Sequence, residues 1–146
     1  MTKTNVYTDG VWDLFHVSHL EFLKQIKIHV SETQSIPIED VRLVVGVISD
    51  ADVASYKRVP IWNEDQRRRM VEACKYVDHV IPNSPLIVPG ELLDQHDISF
   101  VYHGNDSKQE NFFQHAIQRG IMRYIPYHTE LSTTKIIAMV QERKKK

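Results

Sequence analysis

Short apolar runs rich in β-branched residues alternate along this 146-residue chain with segments of helical periodicity. Five runs have the length and composition of strands, at residues 5–8, 41–48, 77–81, 100–103 and 122–125. Helical patterns lie around residues 20–26, 64–74, 91–94, 111–118 and 133–142. This alternation predicts a doubly wound, Rossmann-like α/β fold with a mostly parallel five-stranded sheet and helices on both faces.

The length of the chain suits one compact domain with one core and is too short for two independent domains. We therefore expect a single domain over residues 1–146. The polar stretch 31–40, which contains Pro37, is predicted to be a loop insertion between the first helix and the second strand. Residues 143–146 are predicted to form a basic, solvated tail.

The composition argues against several classes of function. A net charge of -1 provides no basic field for nucleic acid or an anionic membrane. The single cysteine, Cys74, excludes an internal disulfide and a cysteine-cluster metal site. No segment has the features of a secretory signal or of a bilayer-spanning helix. We expect a cytoplasmic protein that binds no nucleic acid and does not insert stably into membranes.

The motif most informative about function follows the first predicted strand and reads DGVWDLFHVSH. His16 and His19 are three residues apart, which places them on one face of the first helical turn. A helix N-terminus presents unpaired N–H groups and the positive end of the helix dipole, so it attracts anions. Gly10 would let a nucleotide approach the backbone. The motif favours phosphate binding.

Two other interpretations of these histidines remain open. They could form half of a zinc site, although no glutamate lies between them and no third ligand is obvious nearby. They could also be structural, with one histidine capping the helix and the other packed in the core.

The longer run DGVWDLFHVSHLEFLKQ resembles the nucleotide-binding segment of the cytidylyltransferases, whose signature is His-x-Gly-His after a Gly-x-(Phe/Tyr)-Asp turn. Ser18 stands where the family has glycine, and its side chain would either crowd the triphosphate or add a donor to it. The resemblance implies catalytic roles for His16 and His19. It implies nucleotide contacts from Asp9, Gly10, Val11, Trp12, His16, Ser18 and His19.

Three further segments, KRVP, NEDQR and KYVDHVIP, match the same family in order and spacing. A lysine on a loop can reach the α-phosphate, whereas an arginine can bind two phosphate oxygens with its planar fork. We predict these roles for Lys57 and Arg67, respectively, and a solvated helix face for Arg68 and Arg69. Asp78 lies in a segment that the family uses at its dimer interface, so the resemblance implies a homodimer.

The tetrapeptide HGND at the end of the fourth predicted strand also occurs at this point in phosphoethanolamine cytidylyltransferases. These residues could make an ordinary turn. Their place at the carboxyl end of a strand favours contact with the nucleotide. We predict nucleotide contacts from His103, Gly104, Asn105 and Asp106.

The last motif, HTELSTT, leads into the final predicted helix, and Ser132 is a suitable N-cap. The family has Arg-Thr-x-Gly-x-Ser-Thr-(Thr/Ser) here, with hydroxyls and amides that hold the triphosphate. This chain has His128 near the arginine position, lacks the glycine and is one residue shorter. The resemblance implies nucleotide contacts from His128, Ser132, Thr133 and Thr134.

Two positions bear on the second substrate. Choline-specific members typically have an aromatic residue where this chain has Leu86, so a cage for a quaternary ammonium is disfavoured. Asp50 resembles the acidic group that meets an amine headgroup, which places phosphoethanolamine ahead of glycerol 3-phosphate. The predicted substrate site comprises Asp50, Lys57 and Leu86.

The resemblance implies a nucleotidyltransferase-type fold and transfer of a cytidylyl group from CTP to a phosphorylated alcohol, with release of pyrophosphate. Mg²⁺ would accompany CTP, and the sequence does not identify its ligands. Two alternatives remain: an adenylyltransferase that uses ATP, or a catalytically silent nucleotide-binding protein.

Overall fold

The computed structural model describes residues 3–105, 110–127 and 130–145. The strands within these residues are β1 (Thr4–Gly10), β2 (Val41–Ile48), β3 (His79–Ser84), β4 (Ile98–Gly104) and β5 (Met122–Ile125). They form one sheet in the order β3-β2-β1-β4-β5, and every neighbouring pair is parallel. The predicted parallel sheet is confirmed.

Helices cover both faces of this sheet, as predicted. They are α1 (Val17–Gln34), α2 (Asp50–Ala54), α3 (Glu64–Glu72), α4 (Gly90–Gln95), α5 (Gln114–Gln118) and α6 (Thr133–Lys144). Alternate residues of β1 point to opposite faces. Val6 packs in the core cluster that includes Phe22 of α1, whereas Tyr7 packs in the cluster that includes Leu93 of α4.

The predicted loop insertion at residues 31–40 is wrong in its first part. Helix α1 continues through Gln34 and ends where Ser35 adopts the left-handed conformation, with φ of 53°. Within the last turn, the Ser31 hydroxyl donates a hydrogen bond to the Ile36 carbonyl. Residues 38–40 form a short 3-10 turn rather than an irregular loop. Polar residues suit an exposed helix end, so their polarity alone did not distinguish helix from loop.

Helix α2, five residues long, was not predicted, because it has no distinctive local pattern. Ser49 starts it, and the Ser49 hydroxyl accepts a hydrogen bond from the Asp52 amide. This short helix matters for the site, since it positions the loop that begins with Tyr56 and Lys57.

The strand order places the change of winding direction at β1. The chain runs outward from β1 through β2 to β3, and then crosses to β4 on the other side of β1. In parallel sheets, ligands bind beyond the carboxyl ends of the strands at such a point. Among the described residues, no helix has both the length and the apolar character needed to cross a bilayer.

Candidate active site

A cavity of about 730 Å³ lies at the carboxyl ends of β1 and β4. Its walls come from the β1–α1 turn, the loop after α2, the end of β4 and the start of α6. Its size is typical of a small-molecule site. The predicted site residues that line it are Asp9, Gly10, Val11, Trp12, His16, His19, Lys57, His103, Gly104, Ser132, Thr133 and Thr134.

The two histidines of the motif are stacked at the start of α1, with ring centroids 3.8 Å apart. The Nδ1 atom of His16, the N-cap residue, accepts a hydrogen bond from the Ser18 amide at 3.2 Å. The Nδ1 atom of His19 accepts one from the His16 amide, also at 3.2 Å. A neutral imidazole that accepts through Nδ1 carries its proton on Nε2. The backbone therefore leaves each ring with an Nε2–H donor.

Burial keeps both rings uncharged near neutral pH. Burial is the main cause that lowers the pKa of His19 to about 3; repulsion from His16, when that ring is protonated, and from the Lys57 ammonium acts in the same direction. Burial also lowers the pKa of His16. The site thus offers two neutral N–H donors to a phosphate.

His16 caps α1, and both rings line the cavity, so the cap leaves the pair able to contact a ligand there. The zinc interpretation gains no support. Within the described residues, no group of three or more histidine, cysteine, aspartate or glutamate side chains is placed to hold a metal.

The prediction that Ser18 contacts the nucleotide is not supported by its position. Ser18 is fully buried and is not among the residues that line the cavity. Its Oγ atom accepts a hydrogen bond from the Leu131 amide at 2.8 Å. The hydroxyl therefore does not face the cavity, and it ties α1 to the segment that precedes α6.

Asp13 is a site residue that the sequence predictions omitted. Its carboxylate accepts hydrogen bonds from the amides of Ile61, at 2.8 Å, and Trp62, at 3.0 Å. Its carbonyl accepts one from the Thr133 hydroxyl at 2.9 Å. Asp13 thus joins the β1–α1 turn to the two other loops of the site. The aspartate in the Gly-x-(Phe/Tyr)-Asp turn was the sequence signal that could have identified it.

The structure corrects the roles predicted for Arg67 and Asp50. The Arg67 side chain is fully buried, and its guanidinium donates to the carbonyls of Trp62, at 3.0 Å, and Val11, at 2.7 Å. It also forms a 2.7 Å ion pair with Asp50. Neither residue lines the cavity. Arg67 holds three backbone segments together, and Asp50 neutralises it instead of meeting a headgroup.

Two more predicted residues lie outside the cavity wall. Leu86, assigned to the substrate site, is half-buried in the segment after β3 and does not line the cavity. Asn105 does not line the cavity either, and its backbone N–H donates to the Ile125 carbonyl at 3.0 Å. The predicted contacts of Asp106 and His128 fall outside the described residues.

Asp9 provides a buried carboxyl group in the cavity wall, at the end of β1. Burial raises its pKa from 3.8 to about 7, although a 3.2 Å hydrogen bond from the Tyr7 hydroxyl favours the ionised form. A carboxylate attracts a cationic group and repels a phosphate. Its chemistry suits an ammonium group better than the predicted nucleotide contact.

Further cavity residues were not predicted, because the family resemblance assigned them no role. They include Tyr56, Arg58, Tyr127 and Lys135. The ammonium of Lys57 lies 5.5 Å from the centre of the Tyr56 ring. The Nη1 atom of Arg58 donates to the Thr134 hydroxyl at 3.2 Å.

The cavity wall contains the starts of two helices. The histidine pair marks the start of α1, and Ser132 caps α6, where its hydroxyl accepts from the Lys135 amide at 3.1 Å. Both helix starts present the positive end of a dipole. Together with Lys57 and Arg58, they make the cavity a site for a highly charged anion.

Comparison with known proteins agrees with this geometry. The chain is 31% identical over 137 residues to a probable ethanolamine-phosphate cytidylyltransferase of Encephalitozoon cuniculi, an alignment that covers 90% of this chain and 39% of that protein. It is 32% identical over 139 residues to choline-phosphate cytidylyltransferase A of Homo sapiens, covering 92% and 36%, respectively. A 36% identical match to the ethanolamine-phosphate cytidylyltransferase of Mus musculus covers 69% and 22%.

The fold is also similar to a crystal structure of the lipopolysaccharide core biosynthesis protein from Thermoplasma volcanium. The TM-score is 0.65 at 21% identity, and the match covers 86% of this chain and 98% of that one. The chain spans less than two fifths of the length of these curated relatives. The family model for cytidylyltransferase-like proteins matches residues 7–139. The chain therefore belongs to the cytidylyltransferase-like family.

Proposed function

We propose that this chain transfers the cytidylyl group of CTP to a phosphorylated alcohol, with phosphoethanolamine as the preferred acceptor. The observation that carries this proposal is the convergence of two helix starts, two neutral histidines and Lys57 on one cavity. Such a site can bind three linked phosphates without a metal cage made by the protein. Membership of the family supports cytidine as the base.

In the proposed reaction, a phosphate oxygen of the acceptor attacks the α-phosphorus of CTP. A new P–O bond forms as the bond to the β-phosphate oxygen breaks, and pyrophosphate leaves. The Nε2–H groups of His16 and His19 donate to the phosphate oxygens, and Lys57 offsets charge on the α-phosphate. Positioning and charge stabilisation suffice, so no covalent enzyme intermediate is required.

Mg²⁺ would enter the cavity as part of the MgCTP substrate. Among the described residues, the carboxylates in the cavity wall are those of Asp9 and Asp13, and both are poor ligands for a resident ion. Both oxygens of Asp13 accept backbone hydrogen bonds, and Asp9 is buried with a raised pKa. Mg²⁺ commonly keeps its waters and binds through substrate phosphates. The ligands of the ion would then be phosphate oxygens of CTP and water molecules, not side chains of the protein.

The position of Asp9 supports an acceptor with an amine headgroup. In this proposal, Asp9 makes the headgroup contact that was predicted for Asp50. Its carboxyl group lies in the wall of the cavity, whereas Asp50 is paired with Arg67. An ammonium ion would favour the ionised form of Asp9 and lower its pKa. Glycerol 3-phosphate provides no such charge, so it is the less favoured acceptor.

The test is pyrophosphate release with CTP or ATP and, as acceptors, phosphoethanolamine, phosphocholine and glycerol 3-phosphate. We expect turnover with CTP and phosphoethanolamine to exceed turnover with every other pair. Turnover with ATP alone would support the adenylyltransferase alternative. CTP binding without turnover on any acceptor would support the silent nucleotide-binding alternative.

The homodimer remains a prediction, and light scattering after size-exclusion chromatography would test it. Asp78, in the segment compared with a dimer interface, accepts a hydrogen bond from the Leu43 amide and pairs with Lys27 in the same chain. A cytoplasmic location likewise remains a prediction.

A further inference from the structure

The side chain of Arg58 connects the loop after α2 to the start of α6. Its Nη1 atom donates a 3.2 Å hydrogen bond to the Thr134 hydroxyl, and both residues line the cavity. The Arg58 side chain is exposed, so a ligand in the cavity can reach it. The guanidinium therefore lies beside the positive end of the α6 dipole.

Arg67, the arginine predicted to bind phosphate, cannot fill that role in this arrangement. It is fully buried and donates to two carbonyls and to Asp50. Among residues 3–105, 110–127 and 130–145, Arg58 is the arginine that lines the cavity. Position 128, which lies near the arginine of the family signature, is occupied by histidine.

Lys57 and Arg58 place positive charge at different parts of the cavity. Lys57 is close enough to His19 to lower the pKa of its ring, so its ammonium lies toward α1. Arg58 instead contacts Thr134, at the start of α6. A linear polyphosphate that begins at the α1 histidines and ends at α6 would meet both cations.

We propose that Arg58 binds the β- and γ-phosphates of CTP and stabilises the pyrophosphate as it leaves, an inference that rests on the proposed function. A guanidinium has five N–H donors in a planar fork, and the bond to Thr134 uses one of them. The remaining donors can engage two phosphate oxygens at once. The Thr134 hydroxyl orients the fork, and the α6 amides supply further donors.

The test compares Arg58→Ala and Arg58→Lys with the matched control Arg69→Ala, which removes the same charge from an exposed position on α3. Calorimetry gives the Kd of each protein for MgCTP, CDP and CMP. Arg58→Ala should weaken CTP binding roughly ten- to hundredfold. It should leave CMP binding unchanged, because CMP lacks both distal phosphates. Arg58→Lys should recover part of the loss, and Arg69→Ala should match the wild type.

Unchanged CTP affinity in Arg58→Ala would overturn the inference, as would an equal loss for CTP and CMP. The melting temperature of each variant shows whether a loss comes from the fold. The wild-type protein separates this inference from the proposed function. Wild-type binding and turnover of CTP, with an unaffected Arg58→Ala variant, would refute only the role of Arg58. A wild type that binds no nucleoside triphosphate would refute both.

Discussion

The Oγ atom of Ser18, in the first turn of α1, accepts a 2.8 Å hydrogen bond from the backbone amide of Leu131, just before α6. These residues are 113 positions apart in the chain, yet this bond holds together the two helix starts that line the cavity. A glycine at position 18 could not make it. The serine hydroxyl therefore anchors the segment before α6 to the first turn of α1.

Replacing Ser18 with alanine should loosen the start of α6. The Leu131 amide would lose its acceptor, at a cost of about 1–3 kcal/mol in the free energy of unfolding. We expect the KM for CTP to rise more than kcat falls, since the change affects phosphate positioning. Ser31→Ala, at the opposite end of α1, is the matched control and should leave the KM unchanged. Equal KM values for both variants would contradict a positioning role for Ser18.

Replacing Asp9 with asparagine should stabilise the protein at high pH. Its folded-state pKa of about 7 lies above 3.8, so the folded protein binds more protons between these pH values. Stability therefore falls as pH rises through this window, by up to about 4 kcal/mol for this group. Chemical denaturation should show that the free energy of unfolding of Asp9→Asn increases relative to that of the wild type from pH 4 to pH 8. A constant difference across that range would show that Asp9 does not titrate this way.

Asp9→Asn should also bind acceptors that have an amine group less well than the wild type does. Loss of the carboxylate should raise the KM for phosphoethanolamine far more than the KM for glycerol 3-phosphate, because only the former has an ammonium group. In the wild type, the KM for phosphoethanolamine should fall as pH rises toward 7 and Asp9 ionises. Parallel changes for the two acceptors would place the headgroup elsewhere.

Replacing His16 or His19 with alanine should depress turnover far more than folding. Each change removes an Nε2–H donor to the reacting phosphates, which typically lowers kcat by about 10²–10³-fold. His115→Ala, at an exposed position of α5, serves as the control. Activity assays and thermal melts on the same preparations make the comparison. Activity losses that merely track lost stability would indicate that these histidines are only packed.

The lowered pKa of His19 also predicts that the folded protein loses stability in acid. Its folded-state pKa of about 3 lies below the ordinary value of 6.5, so the unfolded chain binds more protons between these values. Stability contributed by the neutral ring is therefore full above pH 6.5 and declines as pH falls toward 3. Denaturation of a His19→Gln variant should show a weaker dependence on pH over that window. An unchanged slope would refute this assignment.

Replacing Arg67 with alanine should destabilise the fold instead of acting selectively on CTP. The carbonyls of Val11 and Trp62 would lose their donor, and Asp50 its ion-pair partner. The Asp50 side chain is 37% exposed, so most of the cost comes from the two carbonyls, at about 1–3 kcal/mol for each donor lost. We expect a large drop in melting temperature, in contrast to Arg58→Ala. A stable Arg67→Ala protein with selectively weakened CTP binding would restore the original phosphate-binding prediction.

Local sequence patterns were sufficient to predict the sheet and the region of the site. The β-branched runs corresponded to the five strands, and the histidine motif lay at the start of α1, as predicted. Both signals depend on neighbouring residues, because strand and helix periodicity are local properties. The polar end of α1 and the five-residue α2 were missed, since neither has a distinctive local pattern.

The order of strands and helices, and the side chains available where β1 meets α1, follow from local patterns in the chain. Which polar side chains face the cavity depends instead on contacts between distant segments. Arg67 turned inward because the Val11 carbonyl, 56 residues away, accepts from it, and Ser18 was buried because Leu131 lies against it. Buried polar groups must find partners, and those partners are brought close only when the chain has folded.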